Sequence, residues 1–160
     1  MKPYADTNFL TRCYLPIEAH PPTDDQLAEL RGAGGWLPIV WLHRLELANA
    51  FEQHVFAWRT LGRTRITAEM AAAAQARFRE DCAQPASLLR PTVISPSDLE
   101  QQFEELCLRH TAKHGFRTYD LLHVASALLL DCDTFWSFDP KANKLAALEG
   151  LKTLAISRVA

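Results

Sequence analysis

The sequence predicts a single α/β domain with a central parallel sheet, spanning residues 1–160. Strand-like and helix-like stretches alternate along the chain, the pattern of parallel strands joined by right-handed crossovers. The stretch Phe116–Asp139, FRTYDLLHVASALLLDCDTFWSFD, reads as one helix followed by one strand. Acidic residues recur where strands end or helices begin, the edge at which open parallel sheets bind their ligands.

Each element has its own signal. Lys2 to Ala5 is a short strand, with Pro3 suited only to a first residue or an edge because it has no N–H to donate. Asn8 to Leu15 begins a helix that Pro16 and Pro21-Pro22 break. Thr23-Asp24-Asp25-Gln26 is a capping box opening a helix that Gly32 ends. Leu37 to Leu42 reads as a buried strand running into a helix from Leu45 to about Thr60, with Leu45, Ala48, Phe51, Val55 and Trp58 as its core stripe and Glu46 in its first turn. Gly62 ends it. Thr67 caps an alanine-rich helix to about Cys82, with Met70, Ala74 and Phe78 as its buried edge. Pro91 to Ile94 reads as a third strand. Ser97-Asp98-Leu99-Glu100 is a second capping box, opening a helix with Leu99, Phe103, Leu106 and His110 on one face and Gly115 at its end. Thr118 caps the helix of the long stretch, whose Leu121, Leu122, Ala125, Leu128 and Leu129 recur at helical spacing. Thr134 to Phe138 is the next strand, Lys141 to Glu149 the last helix and Leu151 to Ile156 the last strand. The strand that ends at Asp6 is expected at the sheet's centre, with Asp6 and Asp139 on one sheet edge.

Composition bounds the function classes. The chain has 160 residues, 48% hydrophobic and 22% charged, and a formal net charge of −2. That balance is ordinary for a globular protein and lacks the basic signature of a nucleic-acid binder, although acids gathered at a metal would lower the total. The start, Met-Lys-Pro-Tyr-Ala-Asp, has no apolar core of signal-peptide length, and no apolar run is long enough to span a membrane. Cys13, Cys82, Cys107 and Cys132 form no CxxC, which fits free thiols in a reducing cytoplasm.

Four acids carry the chemistry: Asp6, Glu46, Asp120 and Asp139. Gathered together they would repel, and a hard divalent cation such as Mg²⁺ or Mn²⁺, which takes oxygen ligands, removes that penalty. Each also has a plain structural explanation. Asp6 is a good N-cap, Glu46 suits a solvated helix face, Asp120 complements a helix dipole, and Asp139-Pro140 suits a turn. His123 reads as a hydrogen-bonded core histidine. Cys107, His110 and His114 share helical spacing that would suit zinc, although the helix dipole already accounts for the histidines. Arg59, Arg63 and Arg65 read as a solvated turn. The sequence has no HExxH, P-loop or GxSxG pattern.

Taken in order, Asp6-Thr7-Asn8, Glu46, Asp120 within Tyr-Asp-Leu-Leu-His-Val-Ala, and Ser137-Phe138-Asp139 resemble the PIN-domain family, and within it the small bacterial toxin ribonucleases of the VapC type. The resemblance covers nearly the whole chain. Pro3 and Ala5 depart from it, since the family has a bulky apolar run there. It implies a three-layer α/β/α sandwich with a central parallel sheet and a protruding helical arm, roughly residues 45–82. It further implies a cytoplasmic metal-dependent endoribonuclease, the toxin of a type II toxin–antitoxin system, that leaves a 5′-phosphate. Mg²⁺ or Mn²⁺ would be held by Asp6, Asp120 and Asp139, with Glu46 completing the catalytic set and Thr7, Asn8 and Ser137 orienting the ligands. Arg12, Arg44, Arg117 and Lys141 are candidates for RNA phosphates. The implied partners are an RNA substrate, an antitoxin protein and a second copy in a homodimer, the apolar Phe56, Trp58 and Phe78 of the arm supplying surface for an interface. Two rival readings stand beside this one. One is a catalytically silent PIN-like domain that binds RNA or protein. The other is a phosphatase using Asp6 as nucleophile, although Asn8 stands where that class places a second Asp.

Overall fold

A computed structural model describes residues 1–17 and 23–154. The chain is mixed α/β and divides into two compact units. One comprises Met1–Asp6 together with the segment that begins at Thr92; the other is Thr7–Pro91.

The first unit is built on a three-stranded parallel sheet of β1 (Pro3–Ala5), β4 (Thr134–Trp136) and β5 (Lys152–Thr153). Its order is β1-β4-β5, so the Asp6 strand lies at the edge of this sheet and β4 takes the centre, against expectation. The sequence gives the reason. Pro3 has no N–H to donate to a ladder, which suits its strand to an edge, whereas all three residues of β4 are buried and can pair on either side. Register pairs Ala5 with Trp136, so the segments leaving β1 and β4 emerge at the same sheet edge. Helix α5 (Pro96–Leu106) continues through a π-helical stretch, Cys107–Thr111, and a last turn, α6 (Ala112–His114), to Gly115, whose φ of 66° is the left-handed C-cap that glycine adopts without strain. Its cap is Ser95 rather than Ser97: Ser95 Oγ accepts from the Asp98 N–H at 3.4 Å, and Pro96 takes the first helical position. Helix α7 (Thr118–Leu129) packs on α5 and on α8 (Pro140–Leu148). His123 on α7 is 4% exposed, and its Nδ1 shares a 2.9 Å hydrogen bond with the Tyr4 hydroxyl, which makes it a bonded core histidine. His110 pairs with Glu149 at 2.5 Å. Residues 155 and 156 of the expected last strand lie outside the described residues, as do Pro21 and Pro22.

The second unit packs α1 (Thr7–Tyr14), α3 (Trp41–Leu61) and α4 (Ala68–Ala83) together, with α2 (Asp24–Gly32) and a parallel pair, β2 (Leu37–Ile39) with β3 (Leu89–Pro91). Several expectations are corrected here. Helix α3 starts at Trp41 rather than Leu45, because His43 turns back and its Nδ1 accepts the Val40 N–H at 3.0 Å, closing the helix start. Glu46 therefore falls beyond the first turn. The buried stripe is Leu47, Phe51 and Val55, while Leu45 is 63% exposed. The third strand ends where it was expected to begin, and Val93 stands out in solvent. Thr67 does cap α4, accepting the Met70 N–H, and Gly62 ends α3 at a φ of 61°. Thr23 precedes α2 without a side-chain cap bond. Phe78 is buried with Ala74 as the expected inner edge of α4, and so cannot add to the arm's surface; Phe56 and Trp58 are exposed, which takes Trp58 out of the expected core stripe.

The corrected stripe has a direct energetic consequence. Leu47→Ala, which empties a fully buried aliphatic site absent from the expected stripe, should destabilise the protein by about 2–5 kcal/mol. Leu45→Ala should change stability by no more than about 0.5 kcal/mol. Urea unfolding of the two variants checks this, and the ranking reverses if the stripe expected from spacing is the buried one.

Candidate functional site

Three of the four acids belong to the first unit, and two side chains knit them together. Asp6 follows β1 directly, is 5% exposed, and donates its N–H to the Trp136 carbonyl at 3.0 Å. Its Oδ2 accepts a 2.6 Å bond from Ser137 Oγ, just beyond β4. The same hydroxyl oxygen accepts the Asp139 N–H at 2.9 Å. Ser137 is fully buried, and Asn143 Nδ2 on α8 donates to its carbonyl at 2.9 Å. Asp6 and the Asp139 backbone are thus fixed to one hydroxyl.

Asp139 is the N-cap of α8, its Oδ1 accepting the Lys141 N–H at 2.8 Å. Asp120 lies in the first turn of α7, 6% exposed. It takes the role expected of Thr118: its Oδ2 accepts the N–H of Arg117, the N-cap residue, and Thr118 is already helical. Arg117 then closes on both acids. Its Nε donates to Asp120 Oδ2 at 3.0 Å and its Nη2 to Asp120 Oδ1 at 3.1 Å, and Nη2 also reaches Asp139 Oδ2. These bonds, led by the one to Asp120, push the guanidinium's pKa above its already high ordinary value.

The other expected residues lie in the second unit. Glu46 Oε2 accepts a 2.7 Å bond from Thr7 Oγ1. Asn8 is exposed, and its Oδ1 accepts from Arg12 at 2.7 Å. Burial pushes the Cys13 and Cys132 thiols up to about 12, which holds both protonated at neutral pH and removes them as nucleophiles.

The donor set of Asp6, Asp120, Asp139 and the Ser137 hydroxyl is all hard oxygen, which suits Mg²⁺ or Mn²⁺ in chemical type. Its arrangement centres on a guanidinium, and among the described residues no group of three or more His, Cys, Asp or Glu stands ready to hold a metal ion. Sequence reasoning named Arg117 only as a phosphate ligand. Its position three residues before Asp120 at a helix start is the signal for an ion pair with that acid. Asn143 was missed; a polar residue four positions after a helix cap is its only mark. Among the described residues no helix is long and apolar enough to cross a membrane. A scan against protein-family models and a search of curated proteins gave no match to this chain.

Ser137 should matter to the fold as well as to the acids. Ser137→Ala leaves the buried Asp6 Oδ2 and the Asp139 N–H without this partner and should cost about 1–3 kcal/mol in urea unfolding. A loss within error of zero would mean that the hydroxyl does not join the two acids.

Proposed function

We propose that this protein is a metal-dependent endoribonuclease, the toxin of a type II toxin–antitoxin pair, with a PIN-like three-layer fold. The single observation that carries the reading is the linkage of Asp6, Asp139 and Asp120 through Ser137 and Arg117 at one end of a parallel sheet. Asp6, Asp120 and Asp139 would hold Mg²⁺ or Mn²⁺. A divalent cation bound there would lower the pKa of a water and offset charge on the scissile phosphate. Ser137 keeps the Asp6 carboxylate in one orientation and ties it to the start of α8. Lys141, exposed at the first turn of α8 with its ammonium donating to the Gly115 carbonyl at 3.4 Å, would turn from that carbonyl to a phosphate.

The partner expected for such a toxin is an antitoxin helix or strand laid on the arm. Support comes from an apolar groove of about 510 Å³ along α3 and α4, lined by Leu45, Ala48, Phe78 and Cys82 and flanked by Arg44 and Arg79. The exposed Phe56 and Trp58 lie on the same arm and would serve a homodimer.

A second reading, a silent PIN-like binding domain, is favoured by the guanidinium that already pairs with both Asp120 and Asp139. RNA cleavage separates the two. With Mn²⁺ or Mg²⁺ the wild type should cut a structured RNA to leave 5′-phosphates, and EDTA should stop it. Asp120→Asn, which keeps the side chain's shape, should reduce the rate roughly a thousandfold or more. Glu46→Gln should lose less. Cleavage that survives EDTA, or an Asp120→Asn variant as fast as wild type, excludes this mechanism; a wild type inert with every divalent metal favours the silent domain.

A further inference from the structure

Arg117 holds the acids in an unequal partnership. Both oxygens of Asp120 accept from it, and of the Asp139 oxygens one accepts from Arg117 and the other from the Lys141 N–H. A cation entering between these two acids therefore meets carboxylate oxygens that already have donors. The partners differ in their freedom to move. The Asp120 side chain is 8% exposed and is fixed at the start of α7, whereas the Arg117 side chain is 60% exposed on a long flexible stem. Arg117 can swing into water and regain hydration there; Asp120 cannot leave without breaking the helix start. Burial of the carboxylate also means that something positive must remain beside it, since a buried acid stripped of its partner is strongly destabilising.

We propose that Arg117 is a resident counter-ion that competes with the divalent cation for Asp120 and Asp139. This rests on the metal reading above and goes beyond it, assigning to this chain's own arginine the control of metal affinity. With no metal, Arg117 pairs with both acids, its single positive charge offsetting part of their combined negative charge, and keeps the site folded. A divalent cation replaces it, and the free energy of breaking the ion pairs is subtracted from metal binding. The same contacts make Arg117 a lock on the empty enzyme, released as the concentration of the cation rises.

The test is Mn²⁺ binding to the RNA-free protein, followed by calorimetry and by loss of the free Mn²⁺ paramagnetic resonance signal. Arg117→Gln should bind Mn²⁺ tighter than wild type by about tenfold or more, within the span of ordinary couplings between sites. Its melting temperature without metal should fall and then recover further on Mn²⁺ addition than that of wild type. Should Arg117→Gln fail to fold, Arg117→Lys keeps the charge but loses the fork that meets two acids, and should still bind tighter than wild type. Equal affinity in wild type and variant, or weaker binding by the variant, overturns the competition while leaving the metal site in place. Absence of Mn²⁺ binding by both at millimolar concentration removes the metal reading and this inference with it.

Discussion

A carboxylate taken out of water needs a partner that replaces its hydration, and Asp120 meets that need with Arg117. Much of the first unit is arranged around this pair. Asp120 closes the start of α7 by accepting the Arg117 backbone N–H, so the residue that caps the helix also supplies the counter-charge. The second arm of the guanidinium reaches Asp139, the cap of α8, so two helix starts share one cation. Ser137 carries the linkage on to Asp6 and β1. Helix caps, a buried hydroxyl and an exposed arginine thus form a continuous polar network at the edge of an apolar sheet.

Such a network is sensitive because its members are interdependent. Ser137 Oγ donates to one acid and accepts from the backbone of another, so its loss affects two residues at once. Asn143 holds the Ser137 carbonyl and so extends the dependence into α8. The sheet is short, and the side chains beyond its strands do as much to position the acids as the ladder does.

Much of the first unit was legible in the sequence. Helix α7 has an uninterrupted apolar spacing, β4 is aromatic and β-branched, and Asp6 and Asp139 stand where parallel strands end. The errors have local causes. Trp41 and Leu42 extend an apolar run, so the strand was read too far and the start of α3 too late. The actual start depends on His43 folding back on Val40, a contact that hydrophobic spacing does not encode. Val93 is β-branched but exposed, because the pairing of β2 with β3 sets the register two residues earlier. Ser97 and Thr118 are good cap types displaced by neighbours, Ser95 before Pro96 and Arg117 with Asp120. The acids themselves were read from the sequence; the guanidinium between two of them was not, since which of several arginines turns onto a carboxylate depends on torsions that residue type leaves open.

The divalent cation proposed for Asp6, Asp120 and Asp139 can be located directly. Crystals grown with Mn²⁺ and measured at a wavelength where manganese scatters anomalously would locate it. The expected result is an anomalous peak within coordination distance of Asp6, Asp120 and Asp139, with Arg117 turned away from both acids it holds here. A peak elsewhere, or none while Arg117 keeps its bonds to Asp120 and Asp139 at saturating Mn²⁺, would contradict it.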